Sequence, residues 1–316
     1  MRQSNKSVAV LMGGWSNERD VSLSTAEGVI KTLTEKGYTV TAIDVSRDLE
    51  KLLFDLKQAK PDVVFNALHG TGGEDGVIQG VLDMLRIPYT HSGVTASALA
   101  MDKILSRLIF MQSNIPVPEY RIIPLGTYKH GEHPFTFPYV IKPLNEGSSR
   151  GVYIIKNNTE RDIAMNEWTF GDHVLAETYI PGREIQIAVI NGKAIGAIEL
   201  KPHSGFYDYE AKYTDGKTEH LMPAPLTDTD QSLLFSYAEK AHTILGCKGV
   251  TRSDFRLDET VENNTVNTGA RRMALLEINT QPGLTPLSLV PEIAAYYGIS
   301  FSELLDQIIE RATCAQ

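Results

Sequence analysis

The 316-residue chain has only two cysteines and two tryptophans. Cys247 and Cys314 stand apart, with no CxxC pair and no even-numbered framework, so neither a disulfide scaffold nor a zinc site is suggested and a reducing cytoplasm is expected. No stretch approaches the roughly 20 apolar residues that cross a bilayer. The apolar run in MRQSNKSVAVLMGG is too short for a secretion signal and ends in a glycine pair, so the chain reads as soluble and unexported, with no membrane partner. Two catalytic signatures are also missing. The first turn, GGWSNERD, lacks the G-x-G-x-x-G of dinucleotide sites, and no G-x-S-x-G marks a hydrolase nucleophile. Basic residues are in deficit: 30 against 39 acidic ones leave a formal net charge of -9, which disfavours nucleic acid but permits local cationic pockets.

The length exceeds that at which a single core keeps growing, so two or three lobes are expected. In the first hundred residues, apolar strands (SVAVLMGG, TVTAIDV, DVVFNALHG) alternate with amphipathic helices over 22–36, 49–58 and GVIQGVLDML. That order, βαβαβα, predicts an α/β fold with a parallel, Rossmann-like sheet whose ligands sit beyond the carboxyl ends of its strands, at GGWSNERD and HGTGGEDG. Helical spacing then runs from 95 to 114 as one segment. The proline-rich stretch from IPVPEY through RIIPLGTYKHGEHPFTFP reads as a linker into a new unit that opens with PYVIKP. Farther on, EIQIAVI and KAIGAIEL are strands, KPHSGFYDYEAKYTDGKTEHLMPAP a long loop, 230–245 a helix, SDFRLDE and MALLEINT strands, and 302–311 a final helix. The polar TVENNTVNTGARR is expected to be an exposed, mobile hairpin loop without chemistry.

Three stretches carry candidate chemistry. In VIKPLNEGSSRG, Lys142 ends a strand before a small flexible loop, a layout that can cradle phosphate or be no more than a turn. Asp254 in SDFRLDE, with Glu277 and Asn279 in LLEINT, would project oxygen ligands suited to Mg²⁺ from neighbouring strands; the bland alternative is a pair of solvated carboxylates. Glu177 and Glu184 flank a Pro-Gly turn, where acids can bond an adenine amino group and ribose hydroxyls or simply decorate a hairpin.

Taken together, LMGGWSNERDVSL, ALHGTGGEDGVIQG, SALAMDK, VIKPLNEGSS, FYDYEAKY, GCKGVTRSDF and LLEINTQPGLTPLSLVP occur in an order and spacing that resemble the D-alanine:D-alanine ligase family of the ATP-grasp superfamily, over about residues 7 to 310. The resemblance implies a parallel α/β lobe over 1–100 followed by a two-lobe ATP-grasp fold over 101–182 and 183–316, with ATP between the last two. It implies ATP-driven joining of two D-alanine molecules for peptidoglycan: one carboxylate is phosphorylated and the amine of the second displaces phosphate. A cytoplasmic homodimer is expected, with ATP and two Mg²⁺ ions, for which Mn²⁺ can substitute.

Residue by residue, the resemblance places Lys103 and Lys142 on the ATP phosphates, Glu177, Glu184 and the Ile180 backbone at adenine and ribose, and Asp254, Glu277 and Asn279 on the metal. Arg252 and the backbone N–H of Gly283 would stabilise the oxyanion, donors worth roughly 3 to 4 kcal/mol each in comparable chemistry. Lys212 would reach the transferred phosphoryl group, and Ser288 and Leu289 the second carboxylate. Glu18 would bind the first ammonium, His69 would lie near the first carboxylate, and Ser148 and Tyr213 would complete a hydrogen-bonded chain to Glu18 that helps deprotonate the attacking amine. Relatives that use D-lactate carry phenylalanine at the position of Tyr213, so a dipeptide product is implied. Asp20 replaces the usual glutamate, and Arg150 a usual small or apolar residue. An ATP-grasp ligase for another D-amino or hydroxy acid, and a noncatalytic nucleotide-binding protein, are the competing expectations.

Overall fold

The first strand, β1 (Ser7–Gly13), is apolar almost throughout and buried on both sides, as a central parallel strand must be. A computed structural model describes residues 6–144, 151–202, 216–258 and 273–314. After β1 come α1 (Arg19–Glu35), β2 (Thr39–Val45), α2 (Leu49–Ala59), β3 (Val63–Asn66) and α3 (Val77–Leu85). The three strands form a parallel sheet in the order β2-β1-β3, with Val8 opposite both Val40 and Val63. One face packs on α1 and the other on residues of α2 and α3, so the expected doubly covered sheet is present.

The stretch expected as a single helix over 95–114 is two helices, α4 (Val94–Met101) and α5 (Lys103–Gln112). Asp102 causes the break: its backbone is extended, and its carboxylate accepts from the N–H groups of Ile104 and Leu105, each at 2.9 Å. Such a cap ends one helix and starts the next while the apolar periodicity runs on, because both helices pack into the same core. Lys103 therefore opens α5, with Arg107 one turn later.

The expected linker is instead structured. It supplies β4 (Tyr120–Pro124) and α6 (Leu125–His130), ahead of β5 (Tyr139–Lys142), β6 (Tyr153–Ile155), α7 (Asn158–Glu167) and β7 (His173–Thr178). The four strands make an antiparallel sheet in the order β4-β7-β5-β6, over a core that includes Tyr139, Ile141, Ile155, Trp168 and Val174. At the sheet edge, β4 can end in Pro124 because half its backbone needs no ladder partner.

The remaining chain builds a five-stranded antiparallel sheet from β8 (Arg183–Ile190), β9 (Lys193–Pro202), β10 (Thr218–Leu221), β11 (Val250–Leu257) and β12 (Met273–Asn279), in the order β10-β9-β8-β11-β12. Part of the stretch read as a long loop is thus the edge strand β10. TVENNTVNTGARR lies outside the described residues. Helix α8 (Asp228–Ile244) covers one face together with Phe110 of α5. Helices α9 (Leu289–Tyr296) and α10 (Phe301–Glu310) fill the space between part of the other face and α1, merging the first and last sheets into one core. The chain then returns to the first sheet, where Thr313 and Tyr89 exchange two backbone hydrogen bonds of 3.1 Å.

Candidate active site

Where α9 ends its cover, the five-stranded sheet turns polar. On one face the ladder sets Arg252 opposite Asn279, Asp254 opposite Glu277, and Arg256 opposite Glu184. Strand period alone would put Leu275, Glu277 and Asn279 on one face. The register slips between Asp254 and Phe255, where Leu275 and Glu277 oppose adjacent residues and Leu276 is the extra one. This β-bulge sends Leu275 and Ile278 into the core with Phe255 and turns Glu277 and Asn279 to the polar face. The acid directly after an apolar run is a consequence of that bulge.

The polar face forms one wall of a cavity of about 320 Å³. Arg252, Glu277, Asn279, Gly283, Ser288 and Leu289 line it from this side, Lys103 from α5, and Glu18 and His69 from the carboxyl ends of β1 and β3. The structure thus brings together nine of the expected site residues from three parts of the chain.

On the first wall, the Ser16 hydroxyl donates to the His69 carbonyl at 2.6 Å and accepts from the Glu18 N–H at 3.1 Å, tying the two loops together. Gly70, at φ +68°, completes the join; a Cβ there would lie 3.0 Å from Ser16 and 3.1 Å from a Glu18 carboxylate oxygen. His69 is held at both ring nitrogens, Nδ1 by Glu74 at 2.9 Å and Nε2 by the Thr25 hydroxyl at 3.1 Å. Because an ionised carboxylate only accepts, the Glu74 contact is one to which the imidazole N–H donates. Of the charges in the opening turn, Arg19 forks onto Asp44 at 2.8 and 2.7 Å, leaving Glu18 as the acid that lines the cavity.

On the opposite wall, Arg252 Nε and Nη2 bond the two oxygens of Asp254 at 2.7 and 2.9 Å. Asp254 itself is buried behind the cavity lining. The Gln281 N–H donates to Asn279 Oδ1 at 2.7 Å, while the buried Gln281 side chain accepts from Asn66 Nδ2 at 2.8 Å and donates to the Leu68 carbonyl. This link crosses between the two walls. A Cβ on Gly283 would lie 2.8 Å from Ser288 Oγ, so a side chain there would displace that hydroxyl at the N-terminus of α9. Among the described residues no three His, Cys, Asp or Glu side chains gather as a metal cage. The donors are two cross-strand carboxylates and an amide oxygen, a hard oxygen set that suits Mg²⁺ completed by phosphate or water.

Lys142, Glu177, Ile180 and Glu184 do not line the cavity and form a second region. Glu177 is buried between Lys142, at 2.6 Å, and Arg107, at 2.9 Å. Burial alone would raise its pKa, but the two cations outweigh that and hold it below the usual range. Burial pushes the Lys142 amine down to about 8, with Arg107 and Lys103 adding to the effect and Glu177 opposing it. Arg256 gathers the neighbouring turn, donating to the carbonyls of Ile180 (3.2 Å) and Gly182 (2.8 Å) and to Glu184 (3.5 Å). Ser148, Lys212 and Tyr213 lie outside the described residues.

Sequence reasoning did not single out Ser16, Thr25, Glu74, Arg107, Arg256 or Gln281. Glu74 carries a signal, since HGTGGEDG is a strand-end loop at a ligand position. The others do not, because each acts through a partner distant in sequence.

Comparison with known proteins accounts for this layout. Residues 109–310 match the family described as D-ala D-ala ligase C-terminus, and 47–92 that described as D-ala D-ala ligase N-terminus. A D-alanine–D-alanine ligase of Paramagnetospirillum magneticum is 48% identical over 311 residues, covering 98% of this chain and 99% of that protein. The crystal structure of D-alanine–D-alanine ligase from Bacillus anthracis complexed with ATP superposes with a TM-score of 0.78 at 30% identity, covering 98% of this chain and 97% of the other. The VanG D-Ala:D-Ser ligase of Enterococcus faecalis gives 0.78 at 28% identity, covering 97% and 99%. The likeness in sequence and fold thus runs across nearly the full length of the chain, which belongs to the D-alanine–D-alanine ligase family.

Proposed function

We propose that this chain uses ATP to join two D-alanine molecules into D-alanyl-D-alanine for peptidoglycan, in the cytoplasm and as a homodimer. The observation that carries the reading is the convergence of Glu18 and His69 from one wall with Arg252, Asn279, Gly283 and Ser288 from the other on a single cavity of about 320 Å³. Glu18 suits an ammonium and His69 its carboxylate, while Ser288 and the start of α9 suit a second carboxylate. Arg252 and the Gly283 N–H are placed to receive charge as the acyl carbon becomes tetrahedral. Asp254, Glu277 and Asn279 would hold two Mg²⁺ ions, which supply neutralisation of phosphate charge during phosphoryl transfer. Lys103 and Lys142 take the phosphates, and Glu177, Glu184 and the Ile180 backbone take the adenosine. Ser148, Tyr213 and Lys212 complete the set on sequence grounds, with Ser148 and Tyr213 linking Glu18 to the attacking amine.

The test is ADP release with D-alanine, D-serine or D-lactate as the second substrate, with products identified by mass. D-Alanyl-D-alanine should dominate at neutral pH; a D-alanyl-D-serine or ester product would overturn the substrate assignment. Glu18→Gln should raise the KM for the first D-alanine roughly 10- to 100-fold, the worth of one hydrogen bond to a charged group. An unchanged KM would remove Glu18 from the ammonium site.

A further inference from the structure

Arg107 is fully buried, yet only part of its guanidinium is satisfied. Nη2 bonds Glu177 Oε1 at 2.9 Å, and the group lies 5.4 Å over the Tyr120 ring, while Nε and Nη1 meet no partner among the described residues. Lys142 Nζ reaches the same oxygen, Oε1, at 2.6 Å. Two buried cations thus share one carboxylate oxygen, and Lys103, buried one helical turn before Arg107, adds a third positive charge nearby. Burying more positive charge than is neutralised is costly unless an anion completes the cluster.

Resting on the nucleotide reading above, we propose that Arg107 is a positioning residue for ATP: by sharing Glu177 Oε1 with Lys142 it fixes the carboxylate and keeps Lys142 from closing into a one-to-one ion pair. The cluster as a whole then keeps net positive charge for a phosphate, and Glu177 Oε2 takes part in neither cation bond. Without Arg107, Lys142 and Glu177 would neutralise each other. The remaining pair would be balanced, so the ligand-free fold should survive while nucleotide affinity falls. That split separates a positioning role from a structural one.

The experiment is calorimetric titration of ATP with Mg²⁺ into the full chain without D-alanine, together with the Tm of the ligand-free protein, for wild type, R107M, R107K, K142M and R107M/K142M. R107M should weaken ATP binding at least tenfold with the ligand-free Tm within about 2 °C of wild type. R107K should recover most of the affinity. In the K142M background, R107M should add less than threefold, because Arg107 acts through the Glu177–Lys142 pair. Among the described residues, the charged groups facing Lys142 are Glu177 on β7 and Arg107 and Lys103 on α5, so removing Arg107 should also move the alkaline weakening of ATP binding to higher pH. Equal affinity in R107M and wild type, additive losses in the double variant, or loss of folding in R107M that R107K does not restore would each overturn the inference. A wild-type chain that binds no ATP removes the nucleotide reading and this inference with it. A wild-type chain that binds ATP while R107M binds equally removes this inference alone.

Discussion

The two charged regions of the molecule are built from the same groups and solve opposite problems. At the cavity, Arg252 forks onto Asp254 one-to-one, with Glu277 opposite, so two acids accompany one arginine on this ladder, an arrangement that suits the proposed metal cation. In the second region, Arg107 and Lys142 share Glu177, so bases outnumber the acid, an arrangement that suits the proposed phosphate. On the proposed function, the sign of the excess charge, more than the number of ion pairs, matches the ligand each region would take. Buried ion pairs add little net stability in either case, since desolvation offsets most of their attraction.

The sharpest way to break this contrast is at Arg252. Arg252→Met removes an oxyanion donor and leaves Asp254 without its fork, so kcat should fall roughly 10²- to 10³-fold while ATP affinity moves little. Steady-state ADP release together with ATP titration separates the two. A variant that loses ATP affinity but keeps kcat would mean the regions are not distinct in the way their charge excess suggests.

The second region should respond to alkaline pH. Lys142 has a pKa lowered from its ordinary value to about 8, with burial the leading cause. Its charged form is therefore lost as pH rises through 8, and ATP binding should weaken above that point. The sign for stability is opposite. From about 8 up to the ordinary lysine value the unfolded chain binds more protons than the folded one, so this group makes stability rise with pH in that window. Measuring ATP affinity and urea stability from pH 7 to 10 tests both limbs. Flat ATP affinity across the range would place Lys142 away from the phosphates.

Much of this was legible in the sequence. The parallel lobe, its strand-end loops and the cross-strand pairing of Asp254 with Glu277 follow from apolar runs and motif spacing. The bulge at Leu276 was not, because period-2 reasoning has no term for an inserted residue, although Glu277 after an apolar run was its trace. Asp102 was hidden because two helices packed on one core keep a single periodicity. The strand in RIIP was masked by flanking prolines, which an edge strand tolerates and a linker shares. Arg107 sits in KILSRLIF, where a lone base reads as a solvated face; only the tertiary contact with Glu177, seventy residues on, reveals its burial.

A smaller effect is expected from the support behind the substrate wall. Glu74→Gln keeps the shape but removes the charge that orients His69 Nδ1, so the KM for the first D-alanine should rise about fivefold with ATP affinity unchanged, the worth of one hydrogen bond. An effect as large as that of Glu18→Gln would make Glu74 a direct ligand and redraw the first wall.

The smallest effect should come from the residue that joins the two regions. Asp102 caps α5, whose first residue, Lys103, lines the cavity and whose next turn carries Arg107 into the second region. Asp102→Ala removes two cap bonds and should cost about 1 kcal/mol of stability. For a chain of 316 residues that lowers the Tm by about 1 to 2 °C. Because the helix remains packed through Phe110, its register should hold, and KM values for ATP and D-alanine should change less than threefold. Asp102→Asn keeps an accepting oxygen and should restore most of the Tm. If both KM values instead rose together, the cap would be setting the spacing between the cation-accepting and anion-accepting regions, and the two would act as one coupled unit.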